Sequence, residues 1–457
     1  MLLPFNMKEM EWQMKKIVNQ LLFPLLVLTL TGCGNVATST GPGGYQPSLP
    51  ENPSGVFTDS DFLGVKGNKI KTDYGEGKEI ILKGVNAGGY LLIEQWMCAF
   101  KGGEEVSYYD HKVVTDTFTQ RFGKEETLNI WEYYRNNFWT EYDFQNCADM
   151  NMNVIRLPFS YMSVDPQYNN VREIPGQKYN FELLDNFVAG AAEYGIYTIL
   201  DCHGAYGSQN GQDHSGESKP ADQVDFYSNE ENMKKTIDMW AAIAEHFKDN
   251  PAVAAYDILN EPGERNAGSG TQSTTTRHWN FFDRVYDAIR EKDPDHITIF
   301  ESCWDGANLP QPSKYGWTNS VYSFHNYSGE SDANKNLVSM QNKISGVENQ
   351  NFNIPYYMGE FNCYGNEQSW EKTLSLFASK QWHWTSWTYK LNRSNDHSYA
   401  GWGIYYSKAS RVNPHSDDLE TIYEKWYNID TAHEDVSPMR FESENTLFNI
   451  MKKYCGA

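Results

Sequence analysis

The chain has few basic residues for its length of 457: 38 lysines and arginines stand against 60 aspartates and glutamates, which gives a formal charge of −22. A surface with this excess repels nucleic acid and anionic membranes, so we expect neither as a partner. The apolar run at 17–30, about 14 residues, is also too short for a comfortable membrane span. These absences favour a soluble domain that acts on a neutral substrate.

The apolar run has the features of an export signal. Two lysines precede it, and the letters LTGC that end at Cys33 follow, as in the lipobox of bacterial lipoproteins. The pattern predicts that residues 1–33 are a lipoprotein signal peptide, with Met14 as the more natural start, and that Cys33 becomes the lipidated first residue. An ordinary secretory signal is the alternative. We expect a bacterial lipoprotein at the outer membrane, cell surface or periplasm, with membrane contact only through the lipid anchor.

The rest of the chain divides into a linker and one domain. Residues 34–55 are rich in Gly, Ser, Thr and Pro and lack apolar periodicity, which predicts a flexible linker. Residues 56–457 are predicted to form one catalytic domain without internal repeats, and we expect a monomer. Six cysteines follow Cys33. In an oxidising compartment they could pair or remain buried thiols, and the sequence does not choose between these states.

Strand-like and helical runs alternate along this domain. The predicted strands are 80–86, 154–158, 196–201, 253–259, 297–300, 321–324, 355–358 and 383–389, and the predicted helices are 127–150, 181–194, 232–248, 276–292, 369–380 and 441–454. This order predicts an α/β fold, a (β/α)8 TIM barrel. An open doubly wound sheet is the alternative, but no glycine-rich phosphate loop follows the first strand.

Two further segments lie before and after the main run of strands. Residues 62–83 contain two alternating runs around Asp73-Tyr74-Gly75, which predicts a hairpin at the bottom of the barrel. Residues 391–439 have little periodicity but many Trp, Tyr, His and Asn. We expect a long loop there, after strand eight, that overhangs the active face.

Two predicted strands run into a glutamate. Glu261 follows AAYDILN and precedes a proline, and Glu360 stands in PYYMGEF. Barrel enzymes carry their chemistry at the carboxyl ends of strands. Cleavage of a glycosidic bond needs two carboxyl groups, one on each side of that bond. A single strand-end glutamate is more often a solvated loop residue, but the pair predicts a retaining glycoside hydrolase.

Further motifs lie at or near the predicted strand ends: Arg156 in IRLPFSY, His203 in DCHG, Asn260 and Glu261 in NEP, His325 and Tyr327 in FHNY, Glu360 in MGEF and Trp387 in WTSWTYK. In this order they resemble the motifs of glycoside hydrolase family 5, the family of cellulases and exo-β-1,3-glucanases. The stretches LKGVNAGGYLLIEQWM and HGAYGSQNGQDHSG are most similar to the exo-β-1,3-glucanase branch, whose loop reads HGAPGSQNG. Tyr90 stands where that branch usually has Trp and Tyr206 where it has Pro, both near the expected sugar sites.

The resemblance implies a role for each carboxylate. Glu261 would be the general acid/base and Glu360 the nucleophile. Arg156 is permanently charged and would hold Glu360 ionised, and Tyr327 would donate a hydrogen bond to the same carboxylate. Asn260 would bond the sugar 2-hydroxyl, a contact that strengthens in the transition state.

The remaining matched residues would surround the sugar. His203 and His325 would orient hydroxyls or fix the carboxylates, and Trp387 would lie under the sugar in the cleaved subsite. Taken singly, Arg156 could be an ordinary buried ion pair and His203 a core histidine. We expect no cofactor and no metal. His325 and the carboxylates could in principle bind zinc, but nothing requires it, and the other histidines lack metal-ligand spacing.

The expected activity is hydrolysis of a β-glucan, exo-acting on β-1,3 linkages. An endo-β-1,4-glucanase (cellulase) or a mixed-linkage glucanase is the alternative within the same class. From a different class, the chain could be a non-catalytic glycan-binding lipoprotein. Such a barrel would be expected to lack one of the two glutamates, and both are present.

Overall fold

Eight parallel strands close into a barrel, as the alternation of the sequence predicts. The computed structural model describes residues 56–101, 110–263, 276–302, 309–329, 332–392 and 401–456. A hairpin of β1 (Gly64–Lys66) and β2 (Lys69–Lys71) comes first. The barrel strands are β3 (Lys83–Asn86), β4 (Val154–Ser160), β5 (Tyr197–Gly204), β6 (Val253–Asp257), β7 (Ile297–Glu301), β8 (Ser320–Asn326), β9 (Tyr356–Phe361) and β10 (His383–Ser386).

Helices follow most of these strands. They are α1 (His111–Phe122), α2 (Lys124–Phe138), α3 (Glu141–Asp149), α4 (Glu182–Glu193), α5 (Glu230–Phe247), α6 (Thr276–Lys292), α7 (Ala333–Glu348), α8 (Glu367–Lys380), α9 (Leu419–Trp426) and α10 (Leu447–Cys455). Every residue of β4, β5 and β6 is buried. Strands covered on both faces read as continuous apolar runs, which is why the sequence located them. The barrel closes where β10 pairs with β3, with Trp384 opposite Lys83.

The hairpin lies at the bottom of the barrel, as expected, but its turn was wrongly placed. Lys66 pairs with Lys69, so the turn is the two residues between them, and Gly67 has a φ of +65°. A two-residue hairpin turn requires positive φ, which glycine adopts without strain. Asp73–Gly75 instead forms a 3-10 turn after the hairpin. The Val65 N–H donates to Asn319 Oδ1, just before β8, at 2.8 Å.

The predicted helix at 127–150 is two helices, α2 and α3. The break falls at Thr140, whose backbone is extended. The Asp143 carboxylate accepts the Thr140 N–H at 2.7 Å. This side chain satisfies an amide at the start of α3, which stabilises a new helix start within an otherwise continuous apolar pattern.

The segment 391–439 has more regular structure than a loop. It contributes to a three-stranded sheet of β11 (Lys390–Asn392), β12 (Tyr405–Ser407) and β13 (Val436–Pro438), and it contains α9. Strands of three residues are too short for a two-residue alternation to appear in the sequence. The segment does reach the active face, because Trp402 lines the cleft described below.

A buried ion pair joins this sheet to the helices. Lys390 Nζ lies 3.1 Å from Asp143 Oδ1, and both side chains are fully buried. The same ammonium donates to the Phe138 carbonyl at the end of α2. Removing one partner would leave an uncompensated buried charge. The pair therefore fixes β11, next to the last barrel strand, against the α2–α3 junction.

The described cysteines are free thiols. They are Cys98, Cys147, Cys202, Cys363 and Cys455, and all are buried. Cys303, together with residues 1–55, lies outside the described residues, so the predicted signal, linker and lipidation site do too. Within the described ranges, no helix has the length and apolar character to cross a membrane.

Candidate active site

The two strand-end glutamates face each other across the barrel. Glu360 is the penultimate residue of β9. Glu261 follows β6, which ends at Asp257, four residues earlier than the carboxylate. Both glutamates are at least nine-tenths buried. One oxygen of Glu261 and one of Glu360 lie within 4.8 Å of each other and of a His325 ring nitrogen.

Glu261 has an unusual backbone that its neighbours hold in place. Its φ is +41°, a region that non-glycine residues seldom occupy. The Glu301 Oε1 accepts the Glu261 N–H at 2.9 Å. On the other side, Asn210 Nδ2 donates to the Glu261 carbonyl at 3.2 Å. Backbone strain of this kind persists where surrounding contacts over-determine the conformation, as at functional sites.

The environment of Glu360 favours its ionised form relative to Glu261. Arg156 Nη1 donates to Glu360 Oε1 at 2.8 Å, and the Tyr327 hydroxyl donates to Oε2 at 2.6 Å. Burial raises the pKa of Glu360, but the charge of Arg156 and the hydrogen bond from Tyr327 oppose that rise. For Glu261, burial and then the neighbouring carboxylates, Glu360 first, raise the pKa well above its usual value. The pair is therefore arranged as one carboxylate and one carboxylic acid.

Arg156 contacts more carboxylates than it can neutralise. Besides Glu360, its guanidinium lies 2.9 Å from Asp257, 3.1 Å from Asp201 and 3.4 Å from Glu301. These three side chains are fully buried. Burial raises the pKa of Asp201 and of Asp257 to about 7, although the charge of Arg156 opposes it. Protons must therefore be shared within this acidic group around neutral pH.

His203 is held as a neutral imidazole. Its Nδ1 lies 2.7 Å from Asp201 Oδ2, and burial lowers the pKa of His203 to about 3. The Asn260 side chain donates to the other ring nitrogen of His203, with Nδ2 3.3 Å from Nε2. The Asn260 Oδ1 accepts from Arg156 at 3.0 Å, which fixes the orientation of this amide. His203 therefore orients Asn260 beside the cleft.

A cleft of about 410 Å³ lies over the two glutamates. Its lining includes the predicted residues His203, Asn260, Glu261, Tyr327, Glu360 and Trp387. It also includes residues that were not predicted: Glu94, Trp96, Gln212, Asp213, His214 and Trp402. Arg156 and His325 are buried and are not part of the lining. They contact the carboxylates themselves.

Aromatic rings form much of the cleft wall. The Trp387 ring stacks on His203, with centroids 5.2 Å apart and an interplanar angle of 12°. Trp96 and Trp402 meet edge to face at 5.0 Å, and Trp402 also packs on Tyr327 at 5.3 Å. Aromatic faces of this kind suit the apolar faces of sugar rings.

The same centre holds the group of residues that could reach a metal ion. Within the described ranges, one cluster of histidine and acidic residues has ligand atoms close enough together to bind one metal ion: Glu261, His325 and Glu360. His325 Nδ1 already lies 3.0 Å from Glu261 Oε1 and 3.4 Å from Glu360 Oε2. Burial lowers the pKa of His325 well below its usual value, so it is a neutral hydrogen-bonding partner here.

A family model described as cellulase, glycosyl hydrolase family 5, matches residues 114–393. The chain belongs to this family. The family assignment confirms the resemblance seen in the motifs from Arg156 to Trp387, all of which fall within the matched range.

Curated relatives are about 30% identical to the chain over the aligned residues. A beta-xylosidase of Phanerodontia chrysosporium is 30% identical over 270 residues, 58% of this chain and 52% of the relative. A probable glucan 1,3-beta-glucosidase A of Aspergillus fumigatus is 30% identical over 223 residues, 47% of this chain and 48% of the relative. The chain thus spans about half the length of the curated relatives it matches.

Solved structures share the fold. Rutinosidase from Aspergillus niger has a TM-score of 0.54 at 18% identity, over 76% of this chain and 98% of that one. An endogalactoceramidase has a TM-score of 0.50 at 20% identity, over 72% of this chain and 74% of that one. At these identities the similarity concerns the barrel alone.

Two departures from the family 5 branch lie away from the cleft, contrary to expectation. The Tyr90 ring packs on Phe187 of α4 at 5.5 Å. Tyr206 stacks on Tyr161 at 4.5 Å and donates to Asp165 at 2.7 Å. Neither ring lines the cleft. Proximity in sequence to a strand end did not specify the direction of these side chains, since both rings are taken up by packing against other aromatic groups.

Glu94 is a buried carboxylate of this family 5 cleft that was not predicted. It is buried and accepts a hydrogen bond from Trp96 Nε1 at 2.8 Å. Burial raises the pKa of Glu94 well above its usual value. Glu94 lies in the LLIEQWM stretch after β3, so its position at a strand-end loop was the available signal. The sequence signal was clearer for three other acidic residues, each of which stands in an otherwise apolar barrel strand: Asp201, Asp257 and Glu301.

Proposed function

We propose that this protein is a retaining glycoside hydrolase that cleaves O-glycosidic bonds of a β-glucan. The observation that carries the proposal is the pair of buried glutamates, Glu261 and Glu360, with oxygens within 4.8 Å. Retaining enzymes hold their carboxyl groups roughly 5–5.5 Å apart, whereas inverting enzymes separate them further to admit a water. The aromatic, uncharged rings around the pair support a neutral sugar as the substrate.

The two steps follow from the two environments. In the first, Glu360 attacks the anomeric carbon while Glu261 gives its proton to the departing glycosidic oxygen, so the C–O bond breaks and a glycosyl ester forms. In the second, Glu261 takes a proton from water, which attacks the same carbon and releases Glu360. Arg156 and Tyr327 stabilise Glu360 as the anion that attacks and later leaves.

The surrounding residues position the sugar. Asn260, held by Arg156 and His203, is suited to bond the 2-hydroxyl, where hydrogen bonds strengthen in the transition state. Trp387 offers its face as a floor for the ring in the cleaved subsite. His325 contacts both carboxylates and supports their relative placement.

For the linkage, we propose β-1,3 with exo action. The names of several relatives, glucan 1,3-beta-glucosidase, support the linkage. The contact between Trp96 and Trp402 supports exo action, because it joins the loops after β3 and β10 where both residues line the cleft. An endo-β-1,4-glucanase or mixed-linkage glucanase is the second candidate, supported by the cellulase description of the family model.

A product profile separates these candidates. The purified chain should be incubated with laminarin, lichenan, carboxymethylcellulose and an aryl β-glucoside. Exo-β-1,3 action releases glucose from laminarin from the first time point, without a ladder of oligosaccharides. A ladder from carboxymethylcellulose or lichenan would favour endo action. Binding of glycans without hydrolysis of any of the four would instead support a glycan-binding lipoprotein.

Retention of configuration is a prediction in its own right. Because the carboxylates are too close to admit a water between nucleophile and sugar, hydrolysis should proceed by two displacements and return the original anomer. Proton NMR during the first minutes should show the β anomer of the released sugar, before mutarotation mixes the two. Initial appearance of the α anomer from a β-glucan would rule out the double displacement.

We also propose that the mature protein is a monomeric lipoprotein, anchored to a bacterial membrane through Cys33. The lipobox ending at Cys33 supports this proposal. Stable anchoring takes more than one acyl chain, so loss of the modified cysteine should release the protein. Cys33→Ser should therefore move the enzyme from the membrane fraction to the soluble fraction. Mass spectrometry of the mature amino terminus is the check, and an unmodified Cys33 there would contradict the proposal.

A further inference from the structure

Each carboxyl oxygen of Glu261 faces an imidazole. Oε1 lies 3.0 Å from His325 Nδ1, and Oε2 lies 3.2 Å from His214 Nε2. His325 was predicted to orient hydroxyls or fix the carboxylates, whereas no role at the site was predicted for His214. His214 comes from the loop after β5, lines the cleft and has a side chain only 16% exposed.

Asn210 determines which form of His214 meets the glutamate. The orientation of the Asn210 amide follows from two backbone contacts: its Oδ1 accepts the Gln212 N–H at 3.0 Å, and its Nδ2 donates to the Glu261 carbonyl at 3.2 Å. The same Nδ2 lies 2.8 Å from His214 Nε2. A protonated Nε2 would set two donors against each other at that distance. The contact therefore favours an unprotonated Nε2, which is an acceptor.

With Nε2 unprotonated, the nearby Glu261 oxygen is compatible with it only if that carboxyl carries a proton. An ionised carboxylate has only lone pairs to offer, so it would face the lone pair of the imidazole at 3.2 Å. A protonated Glu261 can instead donate its O–H to Nε2, sharing that acceptor with Asn210. The geometry is thus consistent with the proton on Glu261 and not with the proton on His214.

We propose that His214 is a positioning residue that keeps the general acid protonated until it is used, by accepting a hydrogen bond from Glu261. This inference rests on the proposed function, in which Glu261 gives its proton to the departing sugar. His214 does not take that proton. Its lone pair stabilises the acid form and directs the O–H into the cleft wall until a glycosidic oxygen replaces it as the acceptor.

The loop that carries His214 is itself fixed. Gln209 Nε2 donates to the carbonyls of His203 and Asn260, each at 2.9 Å. The hydroxyls of Ser208 and Ser215 lie 2.5 Å apart. Residues 208–210 are fully buried. His214 is therefore held against Glu261 by the protein and does not depend on a bound sugar for its position.

Several other groups influence the titration of Glu261. Those that face it from the surrounding strands and loops are Glu94 after β3, Arg156 on β4, Asp201 on β5, Glu301 on β7, His325 on β8 and Glu360 on β9. A substitution of His214 leaves all of them in place. The direction in which the titration moves then reports the form of His214 alone.

The test is His214→Phe, which keeps a planar ring but removes the nitrogen. A hydrogen bond to the neutral form of an acid raises its pKa, so its loss should lower the pKa of Glu261. The basic limb of the kcat/KM profile should move to lower pH by about 0.5 to 1 unit. Aryl β-glucosides with poor leaving groups should lose up to about 3- to 10-fold above the pKa, while a dinitrophenyl glucoside, which needs little protonation, should lose less than about 2-fold.

The controls separate this inference from folding and from the proposed function. His415→Phe, at an exposed position, should leave the limb unmoved, and thermal melting should show both variants folded. Carbon-13 NMR of labelled glutamate, with the Glu261 signal assigned through Glu261→Gln, measures the titration directly. This NMR titration tests the inference even if no substrate is hydrolysed. Absence of hydrolysis would overturn the proposed function but not the hydrogen bond between His214 and Glu261. The inference would be overturned if the basic limb or the carbon-13 midpoint of Glu261 stayed in place in His214→Phe. A move to higher pH would also overturn it, because loss of a positively charged imidazolium raises the pKa of a neighbouring carboxyl group.

Discussion

Glu360→Ala is expected to abolish turnover of every β-glucoside, and azide should restore activity by forming an α-glucosyl azide. The substitution removes the group that attacks the anomeric carbon, so no glycosyl ester can form. It also leaves space beside Arg156 and Tyr327, which in the unaltered protein donate to the Glu360 oxygens at 2.8 and 2.6 Å. A small anion can occupy that space and attack the sugar from the same face. The loss should be about 10⁴-fold or more, since covalent catalysis is lost with the nucleophile.

Glu261→Ala should behave differently on the same substrates. A dinitrophenyl glucoside needs little protonation, so the first step should remain fast. The second step lacks its base, so the glycosyl enzyme should accumulate and produce a burst followed by slow turnover. Azide should rescue this variant as well. The product should now be the β-glucosyl azide, because attack occurs on the ester from the face that Glu261 has vacated.

The configuration of the azide decides the assignment. Reversed anomers would require the roles of Glu261 and Glu360 to be exchanged, and unimpaired hydrolysis by both variants would place the active site elsewhere. Glu193→Ala, an exposed glutamate at the end of α4, is the matched control and should retain full activity without azide. Proton NMR distinguishes the two azides by the coupling of the anomeric proton.

The barrel was predictable because its strands are buried on both faces. Runs such as the one in β6 are apolar except for Asp257 and lie between helices with a clear 3.6-residue pattern. The predicted helix at 276–292 coincides with α6. Errors arose where local backbone contacts decide the structure. The carboxylate of Asp143 starts a helix at Thr140, and Gly67 supplies the hairpin turn, and neither feature changes the pattern of apolar residues.

The candidate site was predictable to the extent that its residues stand at strand ends in motifs. The structure brings Arg156 and Tyr327 into direct contact with Glu360, and a Glu261 oxygen lies within 4.8 Å of one of Glu360. Trp96 and Trp402 come from two loops far apart in the chain, and only folding places their rings 5.0 Å apart. His214 is similar, since its contact with Glu261 depends on the path of the loop after β5.

The stability of the protein should fall as the pH rises from about 6.5 to 8. Burial raises the pKa of Asp201 and Asp257 to about 7, and it raises that of Glu261 and Glu301 well above the usual value. In the unfolded chain such groups titrate near 4. Over this interval the folded protein therefore binds more protons than the unfolded chain, and the free energy of unfolding must decrease with rising pH.

Buried histidines change the free energy of unfolding in the opposite direction, but over a lower pH range. Burial lowers the pKa of His203 and His278 to about 3 and that of His111 and His383 to about 4. In the unfolded chain these rings bind protons below about 6.5, so their contribution raises stability as the pH rises to that point. Above it they are neutral in both states. The acidic groups around Arg156 are then the main source of the slope.

Urea unfolding at pH 6.5, 7.25 and 8 measures this slope. Each carboxyl that stays protonated throughout should contribute a loss of about 2 kcal/mol in the free energy of unfolding, because one pH unit corresponds to roughly 1.4 kcal/mol per proton. Glu301→Gln keeps an oxygen that can accept the Glu261 N–H but cannot titrate, so its slope should be shallower. Asp222→Asn, at an exposed position, should leave the slope unchanged. A free energy of unfolding that is constant or rises over this interval would mean that the acids around Arg156 are already ionised at pH 6.5, and that the guanidinium and its hydrogen bonds compensate for their burial.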